Sequence, residues 1–331
     1  MMTKRARSKV LALSAAALLV LTACGGGGEA KALKEGDGAK TKITIATVGS
    51  DSGSQAFYAE TKGFFKEQGL DVKVNIVANV PELAAAVQSG DAEFALTSPT
   101  SVASASAAGI PFRIVAGGAI YTKDNPGVWI MLPKTSKVTD IKQLAGKSIA
   151  VNALNTMPHL STLATLDDAG VDTASIKFVT LDFTQVGQAF ESRQVDAATV
   201  TAPFNYQIES DGIGRTLLSP YDAVNNGEDF FNTIWFGSDK VIKANPEAVT
   251  KFQAALKATN AWANDPANEQ ERKKILQKYT SLTDANLKDM QLLHFGDEAT
   301  EAMIQPAIDI MTRFKVLPKP VKASDIIAVV N

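Results

Sequence analysis

The chain has one cysteine and two histidines in 331 residues. With Cys24 as its only thiol it can form no internal disulfide, and it offers no cysteine pair for a metal site or a thiol relay. His159 and His294 match no His-Glu-x-x-His pattern, no serine sits in a Gly-x-Ser-x-Gly elbow, and no Gly-rich phosphate loop occurs. A basic excess is lacking too: 33 Lys and Arg face 35 Asp and Glu, which argues against nucleic acid as a partner. Long apolar runs are equally scarce. The one that stands out, from Val10 to Leu21, is too short to cross a bilayer as a mature helix.

What is present begins at that run. Lys4, Arg5, Arg7 and Lys9 precede it, and it closes on Leu21-Thr22-Ala23-Cys24. This order of charge, apolar stretch and small residues marks an export signal. The closing four residues resemble the bacterial lipobox, which implies cleavage before Cys24 and a lipid on its thiol. Residues 1–23 are therefore expected to be a signal peptide, and 24–41 the lipidated cysteine and a flexible linker opened by Gly25 to Gly28. Removing the leader takes four basic groups with it and moves the net charge from −2 to −6. The expected location is outside the cytoplasm, anchored to the outer face of the cell membrane through the acyl chain.

From Lys42 strands and helices alternate. Ile43 to Val48 reads as a strand, Gly49 to Ser54 as a polar turn, and Gln55 to Gln68 as one helix closed by Gly69. Strand Val72 to Val77, a helix opened by Pro81, strand Phe94 to Thr97 and a small-residue helix from Thr100 to Ala108 follow. A strand over 112–119 ends the first series. The rhythm resumes with strands at Val128 to Leu132, Ser148 to Val151, Ile176 to Thr180 and Ala197 to Val200, separated by helices near 140–144, 158–169, 185–193 and 205–210. From Asn232 onward the pattern reads as helical. Such alternation implies α/β architecture with mixed, mostly parallel sheets flanked by helices. Thr97-Ser98-Pro99 and Thr201-Ala202-Pro203 each end a strand, and the turn 49–54 has its counterpart in 152–157, so two halves of similar build are one reading. Alternating units also look alike by default.

The combination of Phe57-Tyr58-Ala59 with Gly63-Phe64-Phe65 and Gly69-Leu70-Asp71-Val72, Gly90-Asp91-Ala92-Glu93-Phe94, the run Asp140 to Val151, and Val195-Asp196-Ala197-Ala198 with Pro203 resembles the nitrate, sulfonate and taurine group of ABC-transporter substrate-binding proteins. The resemblance implies a two-lobed type II periplasmic binding protein fold joined by two crossover strands. It puts residues 42–121 and 221–331 in the first lobe and 122–220 in the second, with crossings near Tyr121 and Tyr221. It also implies partners: a small-molecule ligand, and an ABC permease and ATPase complex. The protein is expected to act as a monomer without a cofactor.

Ligands of open parallel sheets sit beyond the carboxyl ends of strands. Four loops qualify: 49–54, 98–100, 152–157 and 201–204. The candidate ligand residues are Ser50, Asp51, Ser52, Ser54, Gln55, Ser98, Pro99, Thr100, Asn152, Asn155, Thr156, Thr201, Phe204 and Trp235. Their hydroxyls, amides and helix-start N–H groups can hold an oxyanion without lysine or arginine. Phe204 and Trp235 are the aromatic candidates for cleft walls, whereas Phe57, Tyr58, Phe183 and Phe236 suit a core. Asp51 either caps the helix that follows it or meets a cationic group of a zwitterion such as taurine. A sulfonate or taurine-like solute is the expected ligand, with nitrate, a thiamine precursor or another small heterocycle as the alternative. Enzymes share this fold, but the cysteine-rich iron motif of the thiamine-pyrimidine enzymes is missing, and no catalytic residue or metal ligand is expected.

Overall fold

The computed structural model describes residue 33 and residues 40–77, 80–280 and 282–329. Residues 1–23, expected to be a signal peptide, Cys24 and most of the expected linker lie outside the described residues. Thirteen strands are described, in two five-stranded sheets and one three-stranded sheet. The first sheet runs β2 (Leu70–Val77), β1 (Thr41–Val48), β3 (Phe94–Thr97), β12 (Ile234–Ser238) and β4 (Phe112–Gly117). The second runs β8 (Lys177–Thr180), β7 (Ser148–Val151), β9 (Ala197–Thr201), β6 (Val128–Pro133) and β10 (Gly214–Leu218). Strand for strand the orders match, and so do the senses: β1 is parallel to β2 and β3 as β7 is to β8 and β9, and the remaining pairs are antiparallel. The Ser98-Pro99 and Ala202-Pro203 turns therefore follow equivalent strands.

Local chemistry explains the helix starts. Ser98 accepts the Ser101 N–H, with Pro99 at the first helical position where its missing donor is harmless. Two expectations are corrected. The helix expected over 55–68 breaks at Gly63, whose φ of +84° suits a residue without a Cβ, giving helices Gln55–Lys62 and Phe64–Glu67. The region from Asn232 is not helical from its start: Ile234–Ser238 is a strand inserted antiparallel between β3 and β4.

The third sheet is made of β11 (Phe230–Phe231), β5 (Ala119–Tyr121) and β13 (His294–Phe295). Its strand β5 leads the chain from the first sheet to the second, and β11 lies on the way back. Here the Tyr121 ring stacks on Phe230 at 5.0 Å and stands 6.2 Å from Tyr221. Their hydroxyls are tied across the return path, Tyr121 to Asp222 at 2.5 Å and Tyr221 to Asn232 at 3.0 Å. Both rings are fully buried, so the crossing is a packed aromatic joint rather than a loose linker. Separate apolar clusters cover the faces of the sheets, with Phe57, Phe94, Trp235 and Phe252 under the first and Met131, Phe190 and Val200 under the second.

Candidate functional site

Register places the loops. Because β1 and β3 pair in parallel through Ala46 and Ala95, the loops after Val48 and Thr97 leave the same edge of the first sheet. In the second, Ala150 pairs with Ala198 and Val128 with Thr201, which sets loops 152–156 and 201–204 at the corresponding edge. A cavity of about 420 Å³ lies at the opposite end of the second sheet, lined in part by Lys137, Lys147, Arg193 and Asp196, and is separate from these loops.

The structure sorts the candidates. Ser50 and Ser52 are half-buried and share a 2.9 Å hydroxyl contact. Ser98 bonds Thr100 at 2.7 Å, with Pro99 and Thr100 buried beside it. Thr156 donates to Ala153 O and Asn152 Oδ1 at 2.8 and 3.3 Å. Asn155, exposed and held at φ +62°, donates its backbone N–H to His159 Nδ1 at 3.0 Å. Burial drives the pKa of His159 down to about 4, so the ring stays neutral and keeps that acceptor. Thr201 and Phe204 are half-buried, and Phe204 packs on Phe183 at 5.5 Å.

Four candidates, Asp51, Ser54, Gln55 and Trp235, have no exposed surface. The Trp235 indole N–H donates to Gln55 Oε1 at 2.5 Å, and Gln55 Nε2 donates to Asn260 at 2.6 Å. Both side chains are committed to the core of the first sheet, because a buried indole needs an internal acceptor. Asp51 is fully enclosed as well. It neither caps the helix at Gln55 nor faces outward: its Oδ2 accepts the Leu293 backbone N–H at 2.7 Å, and Ser54 donates to Oδ1 at 3.3 Å. Burial pushes its carboxyl above the usual range, against the opposing charge of Arg272.

Leu293 exposes a feature that sequence reasoning missed. Residues 289–293 form a strap whose polar backbone groups are taken up from several sides. Arg272 donates to Leu293 O at 2.6 Å, Asn125 to Leu292 O at 2.8 Å, and the Gln291 N–H reaches the Tyr206 hydroxyl at 3.1 Å. Met290 and Leu292 pack with Ala202, Trp129 and Tyr206. The strap thus touches both the first-sheet loop at Asp51 and the second-sheet loop at Ala202. No local pattern in the sequence announces it, because it is defined by contacts between residues far apart in the chain. Among the described residues no group of three or more acidic, His or Cys side chains is placed to hold a metal, and no helix is long and apolar enough to cross a membrane.

Residues 54–270 match the family model described as NMT1/THI5 like, which is more than half of the chain. The chain belongs to the NMT1/THI5-like family. Relatives of this NMT1/THI5-like protein carry names of two kinds. A Bacillus subtilis chain named as a binding protein, YtlA, is 25% identical over 228 residues, 68% of this chain and 67% of its own length. The 4-amino-5-hydroxymethyl-2-methylpyrimidine phosphate synthase THI11 of Saccharomyces cerevisiae is 27% identical over 223 residues, 63% of each. Among solved structures, the periplasmic aliphatic sulphonate binding protein SsuA of Escherichia coli superposes with a TM-score of 0.73 at 16% identity, covering 88% of this chain and 92% of its own. At that identity the likeness shows a shared fold, that of periplasmic binding proteins.

Proposed function

We propose that this NMT1/THI5-like protein is the extracytoplasmic solute-binding component of an ABC importer, held at the membrane by a lipid on Cys24. The observation that carries the reading is the set of four polar strand-end loops, two per sheet, whose sheets are joined at the Tyr121–Phe230–Tyr221 crossing. A solute seated between such loops draws two lobes together about the crossing, and a permease and its ATPase then receive the closed form. The binding reading is favoured over catalysis by the loop chemistry: hydroxyls and amides are abundant, but the one buried histidine near them, His159, serves as a backbone acceptor.

Two solute classes fit hydroxyls, amides and helix starts. One is a small organic anion or zwitterion, sulfonate or taurine-like; the other is nitrate, a thiamine precursor or another small heterocycle. A thermal-shift screen of both classes, followed by native mass spectrometry of the protein as purified, tests the proposal. A solute that raises the melting temperature in a saturable way supports it. No stabilising solute in either class, with no small molecule retained in native spectra, rejects it.

A further inference from the structure

The cavity of about 420 Å³ at the far end of the second sheet shares no residue with the four strand-end loops, and its charge runs against that of the chain. Lys137, Lys147 and Arg193 line it with Asp196 as the one carboxylate: three cations against one anion, a local balance of +2 in a chain of net charge −2. Asp196 is already engaged. Its Oδ2 accepts the backbone N–H and the hydroxyl of Ser148 at 2.9 and 2.8 Å, and its Oδ1 stands 3.7 Å from Lys147 Nζ. The side chains of Lys137 and Arg193 have no ion pair and no hydrogen bond among the described residues, so two cations line the cavity without a counter-charge.

The wall is fixed from behind. Arg215 donates to the carbonyls of Ser136 and Val138, and the Lys134 N–H reaches Ile213 O at 2.8 Å, which ties residues 134–138 to β10 and its approach. Ser136 Oγ accepts the Val138 N–H at 3.3 Å and keeps its own proton to donate. Arg193 adds a backbone cost. It is held at φ +57° just past helix Val186–Glu191, and the Gln194 N–H returns to Ala189 O at 2.9 Å, the closing pattern that Gly109, Gly170 and Gly212 make after other helices. Lysine closes a helix in the same way at 315, where a cation suits the negative end of the helix dipole. At 193 the cation also lines a cavity.

We propose that this cavity is a second binding site, for phosphate or a small phosphate monoester, with the Arg193 guanidinium as its principal donor and Lys137 and Lys147 flanking it. A dianion matches the balance of +2, a guanidinium fork and hydroxyls suit tetrahedral oxygens, and the volume admits a small organic group on the phosphate. The site does not depend on the solute-binding reading.

Calorimetric titration of the whole protein with inorganic phosphate and phenyl phosphate, against acetate at matched ionic strength and pH 7.5, tests the proposal. Both phosphates are expected to bind saturably, and acetate at least about tenfold more weakly. Arg193→Gly should weaken phenyl phosphate by about tenfold or more, through loss of a charge-assisted fork. Its melting temperature without ligand should stay at or above that of the parent, because glycine relieves the left-handed strain, so the weaker binding is not a loss of fold. Lys137→Gln, at an exposed position, supplies the same test if Arg193→Gly does not fold. Phosphate that both variants bind with unchanged affinity sits elsewhere on the protein, and that result overturns the proposal. Acetate binding as tightly as phosphate, or no saturable binding of either phosphate, overturns it as well. None of these results touches the solute-binding reading, which rests on loops that contribute nothing to the cavity.

Discussion

The carboxylate of Asp51 accepts the backbone N–H of Leu293 at 2.7 Å, joining residues 242 positions apart in the chain. Arg272 holds the carbonyl of the same residue at 2.6 Å, so Leu293 is gripped at both ends by enclosed groups of opposite charge. This grip fixes the strap against the first sheet, and the strap in turn meets the second-sheet loop through Tyr206 and Ala202.

Asp51→Asn keeps an acceptor oxygen for Leu293 and loses a charge that burial already disfavours. Its stability at neutral pH is predicted to lie within about 1 kcal/mol of the parent, whereas Asp51→Ala, which orphans the Leu293 N–H, should cost about 1–3 kcal/mol. Urea unfolding distinguishes the two. Because the Asp51 carboxyl is enclosed and bonded to Leu293 and Ser54, Asp51→Asn should change the affinity of a stabilising solute by less than about threefold. Abolished binding would return Asp51 to the site.

Gly127 stands at φ +69°, and a Cβ there would meet Leu293 Cδ2 at 2.6 Å. Gly127→Ala combines left-handed strain with a clash against the strap, and a loss of about 2 kcal/mol is expected in thermal or urea unfolding. An unchanged midpoint would show that the strap yields freely.

His159 links stability to pH. Its folded-state pKa of about 4 lies below the ordinary 6.5, so between those values the unfolded chain binds the proton first. The stability tied to this ring is complete above about pH 6.5 and falls toward pH 4, by about 3 kcal/mol. Melting temperatures at pH 7 and 4.5 should therefore differ more in the parent than in His159→Gln; equal differences would contradict the buried neutral ring.

Arg313 donates to both Asp167 and Asp168, bridging helices Glu301–Arg313 and Met157–Asp168. All three side chains are well exposed, so solvent screens the bridge, and Arg313→Gln is predicted to cost under about 1 kcal/mol. A larger loss in urea unfolding would make this contact a main fastening between the two helices.

Much of this architecture was legible in the sequence where the signal is local. Phe94–Thr97 and Ser148–Val151 are short apolar strands bounded by turns, and their ends matched expectation to the residue. The strand-end loops followed from that alternation. Long-range pairing was not legible. Ile234–Ser238 is a strand because β3 and β4, more than a hundred residues earlier, leave a gap for it, and nothing in five residues announces such a partner. Trp235 looked available because it lies near the second crossing, yet Gln55 and Asn260 claim it from distant segments. Tyr206 and the strap belong to no motif, since their roles arise only when residue 206 meets residue 291. Cys24 remains a reading from sequence pattern and lies outside the described residues.

Solute capture by closure about the Tyr121–Tyr221 crossing is tested most directly by small-angle X-ray scattering of the protein alone and saturated with the solute that stabilises it best. The account predicts a smaller radius of gyration in the saturated sample; an identical radius in both, with binding verified by calorimetry, would contradict closure.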